Sequence, residues 1–545
     1  MENAYTSVGT RTTPQSEAII GQDQVRNDAG GFVYELDDWK AFERFLILGS
    51  EGGTYYISEQ TLTKKNAVRT FNAITKDGAR AVEQIVKVSD AGRAPKNDPA
   101  IFALAIAASV ADPKTRQLAL AALPKVCRIP THLFHFLTYV RQFRGFGRGL
   151  KRAVGNWYNE MPVEKLAYEV VKYQSRDGWS NADLLRLSHP KTSDKDRNAI
   201  YKYIVDGCTG AYHPGEFISA FEAAKASDDV KHLTRLIKQY NLSREMLPTE
   251  ALTKPEVWEA LLEKMPYTAM IRNLGNISKC GLLKPLSNAS RLIVERLHDE
   301  STLKKARIHP IALLIAQKTY ASGKGLKGKG EWTVVPAVVD ALNDAFYLAF
   351  NHLEPTGKWL LIGVDVSGSM GSPCGTLPLT CAEGAAAMAL ACAKTEREYY
   401  IMGFTGSAAS GGRWGGYYNA GGNGDLAGFV DLGITPNMGL DDALAKTRGL
   451  NFGVTDCALP ALWALKNQAK VDCFVIITDN ETWVGKIHPS QALRQYREQI
   501  NPFARQVVVG MTSTNFSIAS PDDALSIDIS GFDASVPQML QEFVR

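Results

Sequence analysis

Asp365, Ser367 and Ser369 alternate along a short segment that directly follows the apolar run Trp359–Val364. A carboxylate and two hydroxyls at that spacing offer three hard oxygen ligands to a divalent cation. Thr455-Asp456 and Thr478-Asp479 lie at comparable joints between an apolar run and a helix-like stretch and add further oxygens. Such ligands suit Mg²⁺, with Ca²⁺ or Mn²⁺ as alternatives, and leave positions for water. Open α/β sheets place their ligand sites beyond the carboxyl ends of the strands, where this pattern falls. The plainer alternative is a strand-to-helix turn capped by short polar residues. The strand before the motif, and the sequence TDNE closing a later one, favour the metal.

A second chemistry is written in basic residues. Residues 141–152 hold Arg141, Arg144, Arg148, Lys151 and Arg152 with no acid, and Phe143 and Phe146 are interleaved with them. Basic side chains neutralise phosphates and aromatic rings stack on bases, so this composition suits RNA. The alternative is a positively charged helix face with its phenylalanines in the core. Further on, the four-residue spacing of Lys172 and Arg176 predicts one shared helix face. Arg186, His189 and Lys191 follow the next turn. A histidine amid lysines and arginines at helix ends can read phosphates and base edges, although His189 alone reads as a surface or capping residue. Charge is divided in the same sense: residues 356–545 carry 13 basic and 18 acidic residues, whereas 1–355 carry 48 and 39. The first part therefore has the sign expected of a protein facing a polyanion.

Two kinds of element must position these residues. Helical patterns dominate to about residue 350. Ser180-x-x-Asp183 predicts a capping box, and that helix should end near Ser188 because His189 precedes Pro190. Thr253-x-x-Glu256 predicts another capping box. Many helices with short joints point to an α-solenoid whose repeats have no clean period. After Pro355-Thr356-Gly357 the pattern changes: KWLLIGVDVS, EYYIMGF, DCFVIITD and RQVVVGM are apolar runs separated by helix-like stretches such as CAEGAAAMALACAK. Runs of this kind imply a parallel sheet buried on both faces. The expected organisation is a mobile tail over 1–25, a helical-repeat domain over 26–355 and an α/β domain over 356–545.

With 545 residues, 45% hydrophobic and 22% charged, the chain is globular and too long for one core. It lacks a membrane-length apolar run and a signal-like start, so a cytoplasmic protein is expected. Its eight scattered cysteines form no CxxC and read as small buried hydrophobes. No HExxH, P-loop, GxSxG or dinucleotide fingerprint is present. His132-x-x-His135 sits in a stretch apolar enough to suggest packing. Asp365 with Asp479 could serve metal-dependent phosphoryl transfer, but the flanking motifs supply no evident general base. A non-catalytic protein is expected. The remaining alternatives are that enzyme, or a scaffold whose metal grips an acidic residue of a partner protein.

The oxygen-rich constellation resembles the metal-ion-dependent adhesion site of von Willebrand A domains. That resemblance makes Asp365, Ser367 and Ser369 the first metal loop, Thr455 the second and Asp479 the third. Val454 stands where relatives usually carry a glycine, which should weaken the second loop's approach to the metal. In order along the chain, NWYNE, DGWSNADLLRLSHPK, IRNLGN, KKARIHP, EPTGKWLLIGVDVSGSM, TDCALP, TDNETW and GFD resemble the Ro autoantigen (TROVE-module) family, its bacterial members most. The resemblance covers nearly everything from Gln24 onward. It implies a ring of HEAT-like repeats closed through the von Willebrand A-like domain. Small noncoding Y RNAs would bind outside the ring, and single-stranded ends of structured or misfolded RNAs would enter its hole. It places Lys172, Arg176 and His189 on the outer RNA surface; Arg186 and the 141–152 cluster are added from composition. It further implies a role in RNA quality control, and a Y RNA tether to polynucleotide phosphorylase. A monomer is expected, with neither DNA nor a membrane as partner.

Overall fold

The computed structural model describes residues 12–544 apart from 51–53, 55, 95, 111, 208–213, 307, 309, 326–329, 350–354, 373–378, 407–427, 448–453 and 532–534. The chain forms two compact units, Phe71–Ala349 and a second that joins Met1–Thr70 to Phe350–Arg545.

The second unit is built on a six-stranded sheet. Its strands run in the order 526–530, 505–510, 473–478, 360–365, 399–404 and 429–431. All neighbours are parallel except the last, which pairs antiparallel with 399–404. Every residue of Leu360–Asp365 and Cys473–Thr478 is buried, as expected of strands covered on both faces. The four apolar runs fall on four of these strands, and the expected α/β class holds. The order reverses between 360–365 and 473–478, which makes that crevice the topological switch point.

Residues 12–48 pack within this second unit. Gln24–Arg26 and Phe32–Glu35 form an antiparallel pair to which Phe516–Ser517 adds a third strand. The helix Asp38–Leu48 starts from Asp37, whose carboxylate accepts from the amides of Trp39 and Lys40. It carries Arg44, fully buried, onto the edge of the sheet. There the guanidinium pairs with Asp528 and donates to Ser530 Oγ at 3.0 Å and the carbonyls of Thr514 and Phe516 at 3.1 and 3.0 Å. The segment is thus tied down from Thr13 onward, whose amide donates to Gln491 Oε1 at 3.0 Å; residues 1–11 lie outside the described ones.

The Phe71–Ala349 unit is helical, with one two-stranded hairpin. Short polar residues start its helices: Asp77, Asp112, Asp194, Asp229, Ser287 and Asp299 each accept a first-turn amide. Asp98–Ser109 is buried almost all round and packs on Pro130–Phe143. Ser180 and Asp183 form the expected capping box, and the helix stops at Ser188 with His189 in the left-handed region at φ 46°. At Thr253 no capping box forms. Residues Ala251–Thr253 make a 3-10 turn, and the helix begins at Pro255 after Lys254. Among the described residues no helix is long and apolar enough to cross a membrane.

Candidate functional site

The oxygen-rich site lies at the switch point of the sheet. Asp365 ends its strand, and one of its oxygens accepts the Ser367 amide at 2.9 Å while the other accepts the Thr478 hydroxyl at 2.6 Å. Ser367 Oγ and Ser369 Oγ are 3.1 Å apart. Ser369 also hydrogen bonds to Asp479, whose other contacts include the Glu481 amide at 3.0 Å. Thr455 joins through its backbone: its carbonyl accepts from the Trp483 and Val484 amides, each at 3.2 Å, which ties the second loop to the third. Val454, expected to disturb this loop, is held by its own carbonyl, which accepts the Thr405 hydroxyl at 2.7 Å and the Gly406 amide.

All five side chains are at most 2% exposed. Within this dry site Thr455 Oγ1 and Asp479 Oδ2 have no hydrogen-bond partner. Burial pushes the Asp365 carboxyl upward, and burial with the Asp365 charge pushes Asp479 up to about 7. A buried polar atom left unpaired costs about 1–3 kcal/mol. Two such atoms beside two strained carboxylates fit a divalent cation in chemistry, because the cation supplies the missing partner and favours the ionised acids. Among the described residues no group of three or more histidine, cysteine or acidic side chains is placed to hold a metal. The donor set here is two carboxylates with three hydroxyls.

Gln15 and Asn27, which sequence reasoning missed, brace this site from the N-terminal segment. The Gln15 amide donates to Asp456 at 2.6 Å and to the Ile487 carbonyl at 2.9 Å, and its oxygen accepts from Thr482. Asn27 donates to the Thr482 carbonyl at 2.7 Å, and the Ala29 amide donates to Glu481 at 2.9 Å. Gly31 passes so close that a Cβ there would lie 2.0 Å from the Thr482 carbonyl, which excludes any side chain. Burial raises Asp456 to about 7, and burial with the Asp479 charge raises Glu481 to about 9.

In the helical unit the RNA candidates fall into two adjoining groups. Lys172 ends the helix Val163–Lys172, its Nζ 5.2 Å from both the Tyr168 and Tyr173 ring centres. Arg176 does not share that helix. It sits on the hairpin Ser175–Arg176/Trp179–Ser180, 64% exposed, so the expected common face is corrected. Asp177 and Gly178 turn the hairpin with φ of 53° and 77°, the double positive φ that a two-residue turn favours. His135 pairs with Asp177 and so ties the turn to the helix Pro130–Phe143, a polar tie where the apolar surroundings suggest packing. His189 and Arg186 are exposed, and Arg186 donates to the Val205 carbonyl at 3.0 Å.

The 141–152 stretch is a helix end, a loop and a helix start. Arg141 lies in the last turn of Pro130–Phe143, Arg144 follows it, and Arg148, Lys151 and Arg152 begin Arg148–Glu160. Phe143 is 40% exposed, whereas Phe146 packs edge-on against Trp179 with ring centres 5.5 Å apart. That contact joins the stretch to the Arg176 hairpin. A Cβ on Gly155 would lie 3.6 Å from Pro190, so the helix also touches the loop after His189. Arg141, Arg148, Lys151 and Arg152 have no acidic partner among the described residues.

A doubly wound sheet with an oxygen-rich switch point, accompanied by a helical unit with a basic surface, defines the class: a von Willebrand A-type domain joined to helical repeats. Comparison with known proteins gives the family. A TROVE domain model matches residues 25–234 and 219–358, and a Ro60 vWA domain model matches 359–544. The chain is 40% identical over 552 residues to the RNA-binding protein RO60 of Deinococcus radiodurans, spanning 100% of this chain and 99% of that one. It is 33% identical over 616 residues to the RNA-binding protein RO60 of Caenorhabditis elegans, spanning 98% and 92%. The crystal structure of the Deinococcus radiodurans RO (RSR) protein matches with a TM-score of 0.70 and 39% identity, over 93% of this chain and 99% of that one. The chain belongs to the Ro60 family and is of the bacterial type.

Proposed function

We propose that this protein binds noncoding RNA and carries out no chemistry on it, in keeping with relatives named as RNA-binding proteins. The carrying observation is the juxtaposition of two basic segments on the helical unit, joined through Phe146 and Trp179. Lys172, Arg176, Arg186 and His189 form one group, and Arg141, Arg144, Arg148, Lys151 and Arg152 the other. The partner is a small Y-type RNA on this surface, and the single-stranded ends of structured or misfolded RNA enter the hole of the helical ring that the family resemblance implies. The protein acts in RNA quality control, maturation or decay in the cytoplasm, as a monomer, with the Y RNA as a tether to polynucleotide phosphorylase. Asp365, Ser367, Ser369, Thr455 and Asp479 hold Mg²⁺, or Ca²⁺ or Mn²⁺, in a structural or partner-gripping role. The two unpartnered oxygens of that site support the cation.

A filter-binding titration tests the RNA reading, using a structured RNA with a single-stranded 3′ tail at several salt concentrations. The wild-type protein should bind with a steep salt dependence. Lys172→Ala/Arg176→Ala/His189→Ala should bind more weakly, and the RNA should remain intact on a gel. Equal, weak, salt-insensitive binding by both proteins would leave the scaffold alternative; cleaved RNA would restore the enzyme.

A further inference from the structure

The helices Pro113–Ala121 and Arg148–Glu160 pack side by side and leave an open groove of about 680 Å³ between them. Three arginines line it: Arg116 from the first helix, Arg152 from the second and Arg144 from the loop that precedes the second. Leu120 and Leu150 supply an apolar floor. Arg144 is fixed in place, its guanidinium donating to the Ala108 carbonyl at 3.0 Å. Arg116 and Arg152 have no partner for their side chains among the described residues, so their charges are free to meet a ligand. The only acid in the lining is Glu160, at the far end of the second helix from Gly149, which also lines the groove.

The two helix starts differ in a way that bears on the ligand. Asp112 accepts the amides of Lys114 and Thr115, so the first turn of Pro113–Ala121 is already satisfied by a carboxylate. Arg148–Glu160 begins at Gly147 with no side-chain cap, and its first turn opens onto the groove at Gly149. Uncapped first-turn amides attract anions, and here three arginines stand beside them. None of Lys172, Arg176, Arg186 and His189 lines the groove.

We propose that this groove, which shares Arg144 and Arg152 with the basic surface and adds Arg116 to it, takes the phosphodiester backbone of a single-stranded segment, with bases against the apolar floor. The inference rests on the RNA-binding reading above and adds a place and a strand type to it. A single strand fits better than a duplex, because a groove between two packed helices admits a chain of nucleotides but not a paired helix.

The test uses the full chain and two fluorescein-labelled probes, a short oligouridylate and a blunt RNA duplex of the same length. Arg116→Ala/Arg152→Ala should weaken oligouridylate binding about tenfold, the loss of charge-assisted contacts worth roughly 1.4 kcal/mol in total. The salt slope for the oligouridylate should fall by about 1.4, for two phosphate contacts at ~0.7 each. Gln117→Glu, an exposed lining residue of unchanged size that belongs to neither basic group, should weaken the same probe and leave duplex binding within twofold. Matching circular dichroism and thermal midpoints guard against misfolding. Unchanged oligouridylate affinity and slope, with the wild type still binding RNA, would overturn the groove and leave the wider RNA reading standing. An equal loss on the duplex in Gln117→Glu would overturn the single-strand assignment. A wild-type protein without RNA affinity would overturn both.

Discussion

Replacing Asp479 with asparagine distinguishes a carboxylate that holds metal from one that is merely buried. The side chain is 1% exposed, its Oδ2 lacks a partner, and burial with the Asp365 charge pushes the acid up to about 7 from 3.8. The folded acid is weaker than the unfolded one. Its ionisation therefore burdens the fold above the unfolded value, increasingly up to about pH 7, and not below it. At ~1.4 kcal/mol for each factor of ten, the ceiling at about pH 8 is ~4 kcal/mol. Asp365 shares the burden, so roughly 2 kcal/mol falls to Asp479 alone. Without metal, Asp479→Asn should thus be the more stable protein by that amount. A unit of this size moves by about 2–4 °C per kcal/mol, so its midpoint should stand ~4–8 °C above wild type in EDTA. Adding Mg²⁺ to about a hundredfold over its dissociation constant should stabilise the wild type by ~2.7 kcal/mol and raise its midpoint by ~5–10 °C. The variant should not respond. Scanning fluorimetry at about pH 8 reads both proteins with EDTA and with each of Mg²⁺, Mn²⁺ and Ca²⁺. A wild type indifferent to all three ions, or a variant responding equally, would refute the reasoning.

Arg44→Ala should destabilise the protein by about 3–5 kcal/mol in urea unfolding, since it strands the buried Asp528 and two carbonyls. Asp528→Ala in the same chain should recover part of that loss, and strictly additive effects would deny the coupling. Gln15→Ala should lower the midpoint by the equivalent of ~1–3 kcal/mol and blunt the Mg²⁺ response, because Asp456 and Thr482 lose their brace; an undiminished Mg²⁺ response would separate the segment from the metal loops. His132 is lowered to about 4 by burial and the Arg128 charge. Its folded form therefore resists protonation, and its stabilising contribution, full above about 6.5, fades as pH falls toward 4. His132→Gln should flatten the acid limb of the urea midpoint by roughly 1–3 kcal/mol between neutral pH and about 4.5; an unchanged limb would assign acid sensitivity to other groups.

What the sequence disclosed and what it hid follow from where the hydrogen bonds go. Strands such as Leu360–Asp365 announce themselves because both faces are buried and every residue is apolar or small up to the terminal aspartate. Ser180 and Asp183 are legible because a capping box is closed within four residues. The contacts of residues 12–25 hide because their partners lie far along the chain: Gln15 and Asp456 are 441 residues apart, and no local period reports such a bond. Arg176 was misplaced for a different reason. Lys172 and Arg176 have helical spacing, but Asp177-Gly178 between Arg176 and Trp179 is also the signature of a tight hairpin, and the turn prevails once His135 holds Asp177. Thr253 failed as a cap because Pro255 takes the first helical position, where its missing amide costs nothing, and this moves the start one residue past a threonine cap. At the basic surface, residue type was legible and placement was not. Arg116 is as free of partners as Arg152 but stands 36 positions earlier, and only the packing of two helices sets them on one groove. Clusters that are contiguous in sequence therefore underestimate such a surface, because its phosphate-binding capacity depends on which cations face a common space and which already have an acid.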